Sequence, residues 1–289
     1  DYGYGQCKAM STPEALTTPG KKQATKTTER DTARADADAT YSKICIGTYG
    51  SAVGSLSYLA QTTRPDIAHA VNRLSRHVAA PSRESVLMCI RTFRYLAGTI
   101  QLGLRYKRVG PAVTVLAYSD SDWAGDSTDG KSTSGMCILI SNAAVAWWSK
   151  KQPVVAQSSS EAEYVSASEA GRELVWINRV MDVLLPQPLQ RPVPLLVDNT
   201  VAVRMANDDS ESQRRKHINV RYHWLREQMQ TNELRVVWVD QNKDGQLADV
   251  FTKPLCEAKF VELVERVMGH STVPLPSPVL PQLHPAVSD

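Results

Sequence analysis

No stretch of this sequence approaches the roughly 20 consecutive apolar residues that a membrane-spanning helix needs, and no charged-then-apolar leader opens it. A soluble, intracellular setting with no membrane partner is the expectation. Cysteine is scarce and scattered: five residues, at 7, 45, 89, 137 and 256, with no CxxC pair. That spacing argues against a disulfide framework and a cysteine-built zinc site, and fits reduced, structural thiols. Nor does one sign of charge dominate, since the net charge is only +3. Acids are instead missing locally. From Arg64 to Arg108, nine Arg and Lys meet only Asp66 and Glu84, a balance of +7, and RRKHINVRYHWLR (214–226) carries five Arg and Lys, two His and no acid. Solvated faces explain most such runs, but two in one chain favour a polyanionic partner.

At 289 residues, with 42% hydrophobic and 22% charged residues, the chain has room for about two cores. Residues 1–40, rich in Thr, Ala, Lys and Asp without a sustained period, read as a partly disordered lead-in. A small basic helical region follows over 41–110. Pro65 opens one helix, with Ile67, Val71, Leu74 and Val78 at helical spacing. A second runs from Glu84 with Val86, Ile90, Phe93 and Ala97 on one face and Gly98 as its stop. Over 111–270 the pattern becomes strands alternating with helices. VTVLAYS, GMCILIS and AVAWWSKK predict three strands, 159–185 a long helix, and PLLVD a buried strand. Helices near 200–207 and 219–231, the strand LRVVWVD and helical pieces over 246–268 complete a mixed-sheet α/β domain. The end, 271–289, is too proline-rich to pack and reads as a disordered tail.

SSSEAEY (158–164) offers two glutamates one residue apart. At about 100 degrees per residue, Ala167, Ala170, Leu174, Ile177, Met181 and Leu184 form an apolar stripe, and four residues back from Ala167 lies Glu163. Glu163 therefore belongs to the buried face. Glu161, displaced by about 200 degrees, points away and suits a capping box with Ser158. A carboxylate at a core edge is costly unless it meets a cation, so Glu163 wants a partner. Asp120 ends the first strand, Asp198 ends the central one, and Asp249 lies in QLADVF at a helix start. Each alone reads as a turn or cap residue. Converging at one sheet edge, the four would repel unless hard divalent cations with oxygen preference, Mg²⁺ or Mn²⁺, sat among them. Two such ions suit phosphodiester hydrolysis.

YSDSDWAG, KSTSG, SSSEAEY, LLVDNTVAV, RKHINVRYHWLRE and QLADVFTKPL, in that order, resemble the RNase H domain of copia-type LTR retrotransposon polyproteins. Upstream, MSTP, AVGSLSYLAQTTRPDIAHAVNRLSR and FRYLAGTIQLGLRY resemble the end of the reverse transcriptase region that precedes it. The resemblance implies an RNase H-like fold, a mixed five-stranded sheet flanked by helices. It also implies a catalytic and metal-binding quartet, Asp120, Glu163, Asp198 and Asp249, that holds two Mg²⁺ or Mn²⁺ ions and cleaves the RNA strand of an RNA/DNA hybrid. Asp122 is the first substitute should the quartet be wrong. The implied partners are that hybrid and the upstream reverse transcriptase core of the same polyprotein, in a cytoplasmic virus-like particle with access to the nucleus. We assign Arg214, Arg215, Lys216, His217, Lys150 and Lys151 as candidate nucleic-acid contacts. Two departures stand out: the loop DQNKDGQ lacks the histidine that many RNase H domains carry before the last aspartate, and no YxDD polymerase motif is present. An inert retroelement relic that binds nucleic acid without cutting it is the alternative.

Three decoys belong to the bland side. GDSTDGKS (125–132) matches GxxxxGK[ST], yet the next segment, STSGMCILIS, is strand-like and Asp126 and Asp129 would repel phosphate, so Lys131 marks a hairpin turn. For Trp147 and Trp148, one ring packing inward and one outward outweighs base stacking. His217 and His223, six apart, miss the usual metal-ligand spacing.

Overall fold

The computed structural model describes residues 9–15, 48–107, 113–207 and 219–271, and for 219–223 the backbone alone. The expected disordered lead-in and tail fall largely outside those residues, as do Arg214, Arg215, Lys216 and His217. In chain order the elements are a helix over 48–62 (α1), a 3-10 turn at Pro65–Ile67, α2 (Ala68–Ser75) and α3 (Arg83–Gly98). Then come β1 (Val115–Asp122), β2 (Thr133–Ile140), β3 (Ala143–Lys151), α4 (Ser159–Leu184) and β4 (Val193–Val197). The last are α5 (Thr200–Asn207), α6 (Asn219–Gln230), β5 (Leu234–Trp238), a 3-10 turn at Leu247–Phe251 and α7 (Glu257–Val267).

The strands form one mixed sheet in the order β3-β2-β1-β4-β5. β1, β2 and β3 run as an antiparallel meander, whereas β4 and β5 lie parallel to β1. The α/β class with a mixed five-stranded sheet and flanking helices is therefore as expected. The order makes β1 central, rather than the strand before Asp198. Because side chains alternate across a strand, Val115 and Ala117 join Met136, Ile138 and α4 in one core, with Ala167, Ala170 and Leu174 fully packed. Leu116 and Tyr118 point the other way, into a core shared with α1, α2, α3 and α7 through Leu56, Leu74, Tyr95 and Val267. The helical region is thus packed onto the sheet through a continuous apolar cluster.

Local details differ from expectation where packing decides. α2 ends at Ser75, so Val78 lies beyond it and is exposed, while Arg76 leaves the helix axis for Asp126 at 3.1 Å. The buried face of α3 carries Val86, Cys89, Thr92 and Tyr95, rotated from the expected Val86, Ile90, Phe93 and Ala97, because Tyr95 reaches Asp66 with its hydroxyl at 2.6 Å. On α4 the stripe fades at its end: Leu184 is exposed. Much of the basic window of the helical region is consumed internally. Arg64 pairs with Asp66 at 2.7 Å, Arg73 with Glu14 at 3.3 Å, and Arg91 donates to the Thr12 carbonyl at 3.1 Å. Glu14 also meets His69 Nδ1 at 2.6 Å, so segment 9–15 is riveted between α2 and α3. It passes close to the end of α3 because Gly98 has no Cβ, which would stand 2.7 Å from Ala9 Cβ.

GDSTDGKS forms the β1–β2 connection and leads into a strand, not a helix, which excludes a phosphate-cradling loop. Asp126 and Asp129 instead hold Lys151 at 2.5 and 2.8 Å. Trp147 and Trp148 are both partly buried, against opposite cores, because the sheet is covered on both faces. Trp147 Nε1 donates to the Ala60 carbonyl at 2.6 Å, and Lys150 Nζ lies 4.7 Å from the centre of the Trp148 ring.

Candidate active site

Three carboxylates from distant parts of the chain meet at one end of the sheet. Asp120, Asp198 and Asp249 each offer an oxygen within 4.8 Å of the others. β1 runs on through Asp122, so Asp120 sits inside the strand rather than at its end, and it is buried. Asp198 follows the last residue of β4, the strand parallel to β1, which brings both acids to the same edge. Asp249 belongs to the Leu247–Phe251 turn, which lies against β1 and β2. Gln246 caps that turn: its Oε1 accepts from Ala248 N at 3.2 Å while its Nε2 donates to the Ser119 carbonyl at 3.0 Å. The turn is thereby tied to β1 one residue before Asp120.

Glu163 comes from the first turn of α4, on the buried face as the projection expected, and is only 5% exposed. Its Oε1 accepts from Ser121 N at 3.2 Å, which aims it at the backbone of β1 beside Asp120. Among the described residues its Oε2 is buried without a hydrogen-bond partner. Glu163 does not join the three aspartates within their mutual reach, and neither does Asp122. Glu161 departs from its expected outward direction. Ser158 Oγ does accept from Glu161 N at 3.2 Å, but Glu161 Oε2 accepts from Gln157 N at 2.9 Å. That reach back folds the side chain under the preceding loop and leaves it 9% exposed.

Burial and repulsion between neighbouring charges leave Glu163, Asp198 and Asp249 reluctant to ionise. Burial, then the charges of Asp120 and Asp198, pushes Glu163 well above the usual carboxylate range. Burial and Asp120 push Asp198 up to about 6, and Asp249 up to about 7, against the restraining charge of Lys253. Asp122 is raised by burial as well. Lys253 Nζ lies 2.6 Å from Asp249 Oδ1 and 3.5 Å from Asp120 Oδ2. Although burial alone would lower its pKa, Asp120 and Asp249 more than offset that, and it is raised. Thr252 Oγ1 donates to Asp120 Oδ2, and Gln241 Nε2 donates to Asp249 Oδ2 at 2.8 Å.

Thr252, Lys253, Gln241 and Gln246 were not singled out by sequence reasoning. A signal existed for two of them: Thr252 and Lys253 follow Asp249 by three and four residues, the spacing that places side chains on one side of a helical turn. Gln241 comes from the loop that lacks histidine, so a neutral donor contacts the last aspartate there. The donor set fits a hard divalent cation. It consists of carboxylate oxygens, it includes one buried oxygen without a partner at Glu163, and its members repel one another when ionised. Lys150 and Lys151 lie two strands from β1, in register through Ser134 and Thr133 with Ser121 and Asp122.

No protein-family model matches the chain. It is 41% identical over 226 residues, 78% of its length, to the retrovirus-related Pol polyprotein from transposon RE1 of Arabidopsis thaliana, of which those residues make up 15%. It is also 46% identical over 129 residues to secreted RxLR effector protein 161 of Plasmopara viticola, covering 45% of this chain and 90% of that protein. Among solved structures, the N-terminal RNase H domain of a Mycobacterium tuberculosis protein, fused to maltose-binding protein, aligns with a TM-score of 0.35 at 14% identity, over 53% of this chain and 98% of that one.

Proposed function

Because the chain is a member of the copia-type group of retrovirus-related Pol polyproteins, spanning about 15% of their length, we propose that it is their ribonuclease H domain and hydrolyses the RNA strand of RNA/DNA hybrids. The observation that carries this reading is the convergence of Asp120, Asp198 and Asp249 within 4.8 Å. Segments up to 129 residues apart in sequence supply these acids, and the fold keeps Asp198 and Asp249 in raised, repelling surroundings despite the nearby Lys253. Such a cost is characteristic of functional sites.

Asp120, at the centre, contributes to both halves of the site, with Asp198 and Glu163 on one side and Asp249 on the other. Asp120, Glu163, Asp198 and Asp249 would hold two hard divalent cations, which when bound would supply Lewis acidity toward a water and the departing oxygen. The protein's part is positional. Ser121 N aims Glu163, Thr252 holds one oxygen of Asp120, and Gln241 holds one oxygen of Asp249. Preference for RNA requires groups that touch the 2′-hydroxyl, the feature that separates RNA from DNA at a given site. Residues 41–110 then serve as the docking portion that joins the upstream reverse transcriptase core, with the RNase H unit over 111–270. A cytoplasmic particle with nuclear access is the corresponding location.

Cleavage of a labelled RNA/DNA hybrid with Mg²⁺, and none with EDTA or with an all-DNA duplex, is the expected result. Salt-sensitive binding of the hybrid without cleavage at any Mg²⁺ or Mn²⁺ concentration would instead mark a binding relic.

A further inference from the structure

The two halves of the acidic site are not equivalent. On the Asp249 side a cation is already present: Lys253 Nζ touches Asp249 at 2.6 Å and approaches Asp120 at 3.5 Å. On the Glu163 side no ammonium or guanidinium is in contact among the described residues, and Glu163 Oε2 is buried without a hydrogen-bond partner there. Lys253 is tethered for its place. Its own amide donates to the Asp249 carbonyl at 3.3 Å, so backbone and side chain both return to the same residue. The side chain is nevertheless 32% exposed, and its ammonium has solvent to move into.

We infer that Lys253 is an internal counter-cation that occupies the Asp120–Asp249 half of the site and has to leave Asp249 before a divalent cation settles between those two carboxylates. The lysine and the cation compete for Asp249 Oδ1, because Asp249 Oδ2 is already held by Gln241. The half formed by Asp198 and Glu163 has no such occupant in contact among the described residues and fills first. Two unequal affinities result, with the weaker one set by displacement of an ammonium that is tethered four residues from its partner. Displacement also frees a positive charge at the rim of the site, where a phosphate of the substrate would arrive. The inference rests on the proposed function only in taking hard divalent cations as ligands.

Calorimetric titration of the metal-free full chain with Mn²⁺, in the wild type and in Lys253→Met and Lys253→Arg, tests it. Expected are two unequal sites in the wild type, a weaker site about ten-fold tighter in Lys253→Met, and wild-type behaviour in Lys253→Arg. Metal-free Lys253→Met should melt below the wild type and gain more from Mg²⁺. Unchanged or weakened metal binding in Lys253→Met overturns the inference. Should that variant not fold, the wild type alone decides: acetylation of Lys253 by acetic anhydride, read by peptide mass, should speed up several-fold on saturation with Mg²⁺, and an unchanged or slower rate overturns it. None of these readouts needs hydrolysis, so a wild type that binds metal without cutting the hybrid defeats the proposed function alone.

Discussion

Gly135 faces Asp120 directly across the β1–β2 pair, and the missing side chain there lets the turn bearing Asp249 lie on the sheet. A Cβ at Gly135 would stand 2.7 Å from both Phe251 Cβ and Thr252 Cγ2 and 3.0 Å from the Ala248 carbonyl. The glycine of KSTSG is thus a spacing device between two catalytic candidates.

Gly135→Ala should therefore push the Leu247–Phe251 turn outward and separate Asp249 from Asp120. We expect a loss of about 1–3 kcal/mol in stability, the usual range for overpacking, and cleavage reduced at least ten-fold. Urea unfolding and a hybrid-cleavage assay measure both. Near-normal activity would mean that the turn yields without moving its aspartate.

Asp198→Asn should abolish Mg²⁺-dependent cleavage and stabilise the metal-free protein at pH 7 by about 1–2 kcal/mol, after allowance for solvent screening. The sign comes from its folded pKa of about 6, above the ordinary 3.8 of an aspartate. A raised carboxyl binds its proton more tightly in the folded state, so stability falls as pH rises through that interval. Asp249, at about 7, acts in the same direction. The metal-free wild type should consequently melt higher at pH 5 than at pH 7, and saturating Mg²⁺ should flatten that slope. A melting temperature that rises from pH 5 to pH 7 without metal contradicts the assigned shifts.

The two glutamates of SSSEAEY should separate cleanly. Glu163→Gln is expected to lower cleavage at least a hundred-fold with little loss of stability, because repulsion with Asp120 and Asp198 is relieved. Glu161→Gln keeps an acceptor for Gln157 N and should leave activity within about two-fold, as Gln also serves in a capping box. Inverted effects would return the role to Glu161.

Affinity for the hybrid should fall with salt, with a log–log slope of about 0.7 to 0.9 per neutralised phosphate. Replacing Arg214, Arg215 and Lys216 together with Gln should flatten the slope by about 2 to 3 and weaken all hybrid sequences alike. The helical region should contribute less than its +7 balance suggests, because Arg64, Arg73 and Arg76 are paired with Asp66, Glu14 and Asp126. Filter binding from 50 to 300 mM salt, a range of about that order, reads these slopes, and an unaltered slope in the triple variant removes the cluster from the interface.

A chain shortened to begin near residue 111 should lose stability as well as affinity. Leu116, Tyr118, Phe251 and Val267 share their core with Leu56, Leu74 and Tyr95, so the cut uncovers one face of the sheet. Thermal melts of the two lengths compare this, and equal melting temperatures would show that the shared core is dispensable.

Periodicity and punctuation in the sequence determined which segments became strands and helices, and that Glu163 lies on the inward face of α4, because a period of 3.6 or 2 and a capping serine are local properties. Order along the chain likewise carried Asp198 as a strand-end residue and Asp249 as a turn residue, whereas Asp120 proved to lie inside its strand. Tertiary structure alone decided what each charge meets. Arg73 and Arg91 of the basic window were drawn inward once segment 9–15 lay across α2 and α3. Lys151 was taken up by Asp126 and Asp129, and Trp147 and Trp148 found separate cores because both sheet faces are covered. Glu161 turned under its loop to reach Gln157. Lys253 reached Asp120 from 133 residues away, a contact with no local signal, since pairing between charges depends on where the chain brings them and on how much water it removes.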